Sequence, residues 1–167
     1  MVKYYNAMVV FEEIPNEVTL AINITNCPCH CKGCHSKFLW ENTGTELTID
    51  ELNNLIDKND GITTVCFMGG DASPETISLL AEYTHEIRKL KVGWYSGMDE
   101  LSDKINLDWF NYVKIGHYDE ELGGLNKETT NQRFFYVHKF DDEYELVDMT
   151  SLFWKNNVNK TIKKVTK

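Results

Sequence analysis

The sequence predicts an α/β protein, a partial, open (β/α) barrel with a mainly parallel sheet. Three observations predict it. Short β-branched, apolar runs alternate along the chain with segments of helical periodicity, the order that strand–helix–strand crossovers require. The clearest early strand runs straight into a dense cysteine loop, and α/β folds place ligand sites on loops at strand ends. The chain has 167 residues, too few for a closed eight-fold barrel, which takes about 250.

The elements follow in order. Ala7 to Phe11 is apolar and predicts a short strand, broken by the turn residues of Glu12-Glu13-Ile14-Pro15-Asn16. Val18 to Ile24 alternates and is β-branched, a strand by pattern. The cysteine loop comes next, with Phe38-Leu39-Trp40 as an apolar anchor behind it. Thr48 and Glu51 stand at the N-cap and capping-box positions of a helix whose Leu52, Leu55 and Ile56 share a face, and Gly61 ends that unit. Ile62 to Met68 reads as a second strand buried on both faces, ending in Gly69-Gly70-Asp71. Ser73 as N-cap and Pro74 at the first helical position open a longer helix, with Ile77, Leu80, Ala81, Thr84 and Ile87 on one side. Lys91 to Tyr95 is a third strand, ending in Ser96-Gly97, and a short helix is expected from about Met98 to Lys104. Tyr112 to Ile115 is a fourth strand, 119–132 a polar loop, Arg133 to His138 a strand, and Tyr144 to Met149 an edge strand. Residues 1–154 are expected to form one domain, and 155–167, with five lysines and no acid, a basic, mobile tail.

Composition narrows the function. The apolar fraction of 42% and charged fraction of 26% are ordinary for a globular domain with a real core. A net charge of −9 argues against a nucleic-acid partner, which calls for a basic face. No secretory pattern opens the chain and no apolar run reaches the length of a membrane span. The expectation is a cytoplasmic protein without a membrane partner. Thiols stay reduced there, so clustered cysteines read as metal-binding or catalytic.

Four of the five cysteines fall within Cys27-Pro28-Cys29-His30-Cys31-Lys32-Gly33-Cys34. Thiolates are soft ligands, and several on one short loop can converge on one soft metal centre. Cys27, Cys31 and Cys34 read Cys-x3-Cys-x2-Cys. Three thiolates on a four-iron cluster leave one iron without a protein ligand, and an iron open to substrate can do chemistry. Other readings stand beside this one. Cys29, Cys31, Cys34 and His35 could supply four zinc ligands, although such sites usually use two separated pairs. Cys31-Lys32-Gly33-Cys34-His35 matches the attachment pattern of c-type haem, which requires export. A cluster that only carries electrons would take Cys29 as its fourth ligand; local strand-like alternation would instead turn Cys29 away, as a bystander.

Gly69-Gly70-Asp71 and Tyr95-Ser96-Gly97 end two expected strands on the same sheet edge as the cysteine loop. Glycines there allow close backbone approach, and backbone groups left over at a strand end can hold a zwitterion. Cys66, inside an apolar strand, reads as a buried structural thiol. No Ser/His/Asp set or carboxylate pair stands out, so no catalytic side chain is assigned.

Taken together, these segments resemble the activating proteins of the anaerobic ribonucleoside-triphosphate reductase, within the radical S-adenosylmethionine (SAM) superfamily. The resemblance rests on Cys27–Cys34 followed by His35-Ser36-Lys37-Phe38-Leu39-Trp40, on Met68-Gly69-Gly70-Asp71, on Tyr95-Ser96-Gly97 and on Thr130-Asn131-Gln132-Arg133. It spans about residues 18–135. His35 stands where the family has tyrosine, Ala72 where a proline often follows, and Glu12–Glu17 where the family is glycine-rich. The resemblance implies a barrel of the radical SAM type. It implies a [4Fe-4S] cluster on Cys27, Cys31 and Cys34, and SAM held by Gly33, Cys34, His35, Gly69, Gly70, Asp71 and Ser96. An external donor such as flavodoxin or ferredoxin would reduce the cluster. SAM would be cleaved to methionine and a 5′-deoxyadenosyl radical, which takes a hydrogen from a glycine of the reductase. The alternatives are an activase of another glycyl radical enzyme and a non-catalytic zinc or iron–sulfur module.

Overall fold

The computed structural model describes residues 2–141 and 143–154. The lysine-rich tail expected at 155–167 lies outside the described residues. The strands are β1 (Lys3–Val10), β2 (Thr19–Ile24), β3 (Thr45–Glu46), β4 (Thr64–Met68), β5 (Lys91–Tyr95), β6 (Tyr112–Ile115), β7 (Arg133–Phe140) and β8 (Glu143–Asp148), with helices α1 (Ile49–Asp57) and α2 (Pro74–Glu86). All eight strands form one sheet in the order β3-β1-β2-β4-β5-β6-β7-β8.

The expected mainly parallel barrel is not what forms. Of the seven pairings, β2–β4, β4–β5 and β5–β6 are parallel, while β1–β2, β1–β3, β6–β7 and β7–β8 are antiparallel. The molecule is an open mixed sheet, and only two α-helices lie among the described residues. The reason lies in the connections. A parallel neighbour needs a crossover of about a dozen residues or more. Residues 11–18 between β1 and β2, and the two residues between β7 and β8, are too few for one, so those strands return antiparallel.

The β5–β6 connection also departs from expectation. Residues 98–104 form bends and turns, not a helix. The Ser102 hydroxyl takes the Lys104 amide at 3.2 Å, a local bond that competes with helix formation. The Asp99 carboxylate is engaged by the His117 amide at 3.1 Å and by its Nδ1 at 2.7 Å.

Both helices cover one face of the sheet. α1 starts where the Thr48 hydroxyl accepts the Glu51 amide at 3.1 Å. The Glu51 carboxylate does not close a capping box; it accepts the Tyr4 hydroxyl at 2.6 Å and ties the helix to β1. α2 starts at Pro74 with Ser73 in the N-cap position, although no side-chain bond caps it. Ile77, Leu80, Ala81 and Thr84 are buried as expected, but Ile87 is 65% exposed.

Strand alternation sorts the core into two layers. Leu20, Ile22, Val65, Phe67, Val92, Trp94 and Val113 face the helices with Leu52, Ile56, Ile77 and Leu80. On the other face Ile14, Cys66, Tyr112 and Phe134 pack with Met68, Tyr95 and Phe153. Gly93 is glycine because a Cβ there would stand 2.6 Å from Ile14 Cδ1.

Candidate metal centre

The parallel strands β2, β4, β5 and β6 end on one edge of the sheet, and the cysteine loop folds over that edge. The chain leaves β2 through Asn26, at φ 64°, and reverses again at His30, at φ 45°. The Asn26 amide donates to the Glu41 carbonyl at 3.1 Å and the Cys27 amide to the Leu39 carbonyl at 3.0 Å, so 36–41 braces the loop. A turn between Cys31 and Cys34 is closed by the Cys34 amide on the Cys31 carbonyl at 3.2 Å, with Gly33 at φ 73°. The Ser36 amide donates to Cys34 Sγ at 3.3 Å. Amides aimed at ligand sulfurs orient them and tune the metal they hold.

Cys27, Cys29, Cys31 and Cys34 all line one cavity of about 200 Å³. Its floor and walls are the strand ends: Asn23, Met68 and Gly69, Asp71, Tyr95 to Gly97, Lys114 and Gln132. Asp71 and Ser96, two of the residues singled out in the sequence, meet directly; the Ser96 hydroxyl donates to Asp71 Oδ1 at 2.5 Å and the Gly97 amide to Oδ2 at 3.1 Å.

The other candidates are placed differently. Gly69 lines the cavity, but its amide donates to the Tyr95 carbonyl at 2.8 Å and its carbonyl accepts the Trp94 indole at 2.8 Å. Gly70, at φ 94°, is buried away from the cavity against Ile77, whose Cδ1 stands 2.5 Å from where a Cβ would be. Gly33 packs on Glu120. His35 is exposed and meets the Tyr118 ring edge-on at 5.5 Å. Cys29, expected to turn away, faces the cavity with its Sγ 3.8 Å from Met98 Sδ. Its hydrogen bond with Cys27 pushes its own thiol pKa up and holds Cys27 below the ordinary range. Cys66 is fully buried in β4.

Lys114 is the residue that sequence reasoning passed over. It is 7% exposed and lines the cavity, where its Nζ donates to the Gly116 carbonyl at 2.6 Å and the Ser96 carbonyl at 3.2 Å. Burial pulls its pKa down to about 8, against the opposing pull of Asp71, Cys31, Cys29 and Asp99. The signal was a lysine at an inward position of the apolar strand Tyr112-Val113-Lys114-Ile115. Gln132, which also lines the cavity, is anchored by its amide on the Thr130 hydroxyl at 3.2 Å.

The donor set fits an iron–sulfur cluster. Four thiols, the soft donors that such a cluster takes, border one cavity. Trp40 also lines the cavity, and its indole N–H is buried with no partner among the described residues. A buried donor beside thiolates suits the sulfur of a cluster.

Among the described residues no helix is long and apolar enough to cross a membrane. No curated protein and no solved structure matches the chain significantly. A model of the 4Fe-4S single cluster domain family matches residues 18–132, the span from β2 to the start of β7 that contains every residue lining the cavity. The chain belongs to the 4Fe-4S single cluster domain family.

Proposed function

We propose that this iron–sulfur protein is a radical SAM activase, with Cys27, Cys31 and Cys34 as the protein ligands of the cluster. The observation that carries the reading is the pairing of charges under the cysteine loop. Asp71 and Lys114 line the same cavity as the thiols, and a carboxylate with an ammonium is the complement of an amino acid zwitterion. In this reading Asp71, held by Ser96 and Gly97, takes the amino group of SAM, and Lys114 takes its carboxylate. Ile24, Leu39, Trp40 and Met68 supply apolar walls that keep water out. With Gly69 and Gly70 engaged inside the protein, their role is to turn the chain so that Asp71 faces the cavity.

The bound cofactors would supply one-electron cleavage of SAM and a 5′-deoxyadenosyl radical for hydrogen abstraction. The reductant would be an external flavodoxin or ferredoxin, and the substrate a glycine in the glycyl radical subunit of the anaerobic ribonucleoside-triphosphate reductase. What supports that partner is the resemblance of the cysteine loop, Met68-Gly69-Gly70-Asp71 and Thr130-Asn131-Gln132-Arg133 to the activating proteins of that reductase.

One observation favours a second reading. Cys29 faces the cavity with the other three, and four cysteine ligands would make a closed, electron-carrying cluster. The family match supports a cluster in either case.

The test is anaerobic reconstitution followed by dithionite reduction with SAM. Under the first reading 5′-deoxyadenosine and methionine appear, Cys29→Ser still forms both, and Cys27→Ser, Cys31→Ser and Cys34→Ser form neither. A cluster that never cleaves SAM and is lost equally in all four variants selects the electron carrier. Mixing with the candidate reductase subunit and looking for a glycyl radical signal then tests the partner.

A further inference from the structure

We propose that a second cavity, on the sheet face opposite the helices, binds a polypeptide segment that carries a basic side chain. The inference rests on the activase reading and names the chemistry of the substrate that would reach the cysteine cavity. The second cavity measures about 580 Å³ and shares Met68 and Tyr95 with the cysteine cavity, so the two adjoin at the ends of β4 and β5.

Its lining is of another kind. Leu125, Leu152, Phe153 and Trp154 make it apolar, and its charged residues are Glu12 and Glu13. Among the described residues no lysine, arginine or histidine lines it, and neither carboxylate has an ion-pair partner. Burial, with the charge of Glu12 next to it, holds the Glu13 carboxyl above its ordinary range. A cation seated there would offset what burial costs the carboxylate.

The turn that carries the two acids is fixed in place. Ile14 is fully buried beneath it, and the Tyr95 hydroxyl donates to the Glu13 carbonyl. Across the cavity Phe153 meets Phe134 edge-on at 4.9 Å. Walls held this way lose little freedom when a ligand arrives, which favours binding.

Two unmet needs select the ligand. The carboxylates call for a cation. The Trp154 indole N–H is buried with no partner among the described residues and calls for an acceptor oxygen. A metal ion would meet the first need and offer nothing to the second. A polypeptide meets both, with a lysine or arginine side chain for Glu12 and Glu13 and a backbone carbonyl for Trp154. The net charge of −9 draws such a segment in from solution.

The probes are blocked peptides with one arginine placed one, two or three residues from a central glycine, and twins in which uncharged citrulline replaces the arginine. Isothermal titration into the anaerobic, cluster-loaded full chain measures their affinities, and SAM cleavage is followed on the same preparation. In at least one spacing the arginine peptide should bind about tenfold or more tighter than its citrulline twin. Glu12→Gln combined with Glu13→Gln should abolish that margin, whereas Trp154→Phe should weaken both twins and keep it. Melting temperatures taken alongside confirm that the variants are folded. Twins that bind equally, or a margin that survives the double glutamine variant, overturn the proposal. So does a margin that emerges only when the lysines of 155–167 are changed to glutamine, since that assigns the cavity to the chain's own residues. If SAM is cleaved while the twins bind equally, this inference fails and the activase reading stands. If the arginine margin is present and SAM is never cleaved, the activase reading fails and the site for a basic segment stands.

Discussion

Ser96 Oγ donates to Asp71 Oδ1 at 2.5 Å, tying the end of β4 to the end of β5 on the floor of the cysteine cavity. The Lys114 ammonium, which lines the same cavity, is held by the Ser96 and Gly116 carbonyls. The two charges therefore stay separate, each able to meet a group of opposite sign.

If that separation serves ligand binding, Ser96→Ala should raise the KM for SAM more than it lowers kcat, because it frees Asp71 without removing it. Losing a hydrogen bond to a charged group is worth about 1.5–3 kcal/mol, roughly a tenfold to hundredfold change in affinity. Asp71→Asn should cost more than Ser96→Ala. Isothermal titration of SAM into the reconstituted variants checks both. Equal affinities across the three proteins would remove Asp71 from the binding site.

Gly69 and Gly70 should respond differently to alanine. Both have positive φ, at 99° and 94°, and an alanine in left-handed backbone costs about 1–2 kcal/mol. At Gly69 the nearest atom to a new Cβ is the Ile24 carbonyl oxygen at 3.4 Å; at Gly70 it is Ile77 Cδ1 at 2.5 Å. Gly70→Ala therefore adds overpacking, about 1–3 kcal/mol. Its melting temperature should fall below that of Gly69→Ala by roughly 2–4 °C for each such kcal/mol. Calorimetry on the two variants measures the gap.

Glu17 gives the fold an acid limit. Its buried carboxylate accepts from Lys91 at 2.5 Å, Thr63 at 2.6 Å, Tyr112 at 2.8 Å and Thr64 at 3.1 Å. Burial pushes its pKa up, but these four bonds outweigh burial and hold it below the ordinary 4.5. A depressed carboxyl pKa stabilises the fold fully above the unfolded value, and that stability is lost as pH falls through the folded one. Glu17→Ala should destabilise by about 1–3 kcal/mol near neutral pH, since it strands the buried Tyr112 and Thr64 hydroxyls. The gap between wild type and Glu17→Gln should narrow as the solution is acidified below about pH 4.5. Urea midpoints measured in pairs along a pH series test this.

The cysteine loop, the Gly-Gly-Asp turn and the Ser-Gly turn were legible because their chemistry is local. A run of thiols or a glycine pair at a strand end announces itself over a few residues. Strand positions were legible for the same reason, since alternation from Val18 to Ile24 and the apolar run at 62–68 are local patterns. Strand direction was not, because pairing depends on how much chain separates two strands and where it can travel. Gly70 shows the limit at a single residue. Its positive φ was foreseeable, but its neighbour is Ile77 of its own helix, not a ligand. Lys114 was missed because its role depends on β6 lying beside β5, which no stretch of sequence displays. Cys29 was read from alternation as facing away; the left-handed turn at His30 breaks that alternation.

That loop also leaves one donor waiting. Among the described residues the Trp40 indole N–H is buried beside the cavity without a partner, while the ring stacks on His30 at 4.7 Å. In the cluster-free protein a buried, unsatisfied N–H costs about 1–3 kcal/mol. Trp40→Phe removes the donor and keeps most of the ring, so the cluster-free variant should be as stable as wild type or more so. Loading the cluster should reverse the order, if the indole then donates to a cluster sulfur. Hydrogen bonds to the sulfurs favour the reduced, more negative state, so losing one should lower the reduction potential. Thermal unfolding with and without the cluster, combined with a dithionite-poised titration followed by electron paramagnetic resonance, reads both effects. A variant less stable in the cluster-free form, with an unchanged potential, would mean that Trp40 acts by packing on His30 alone.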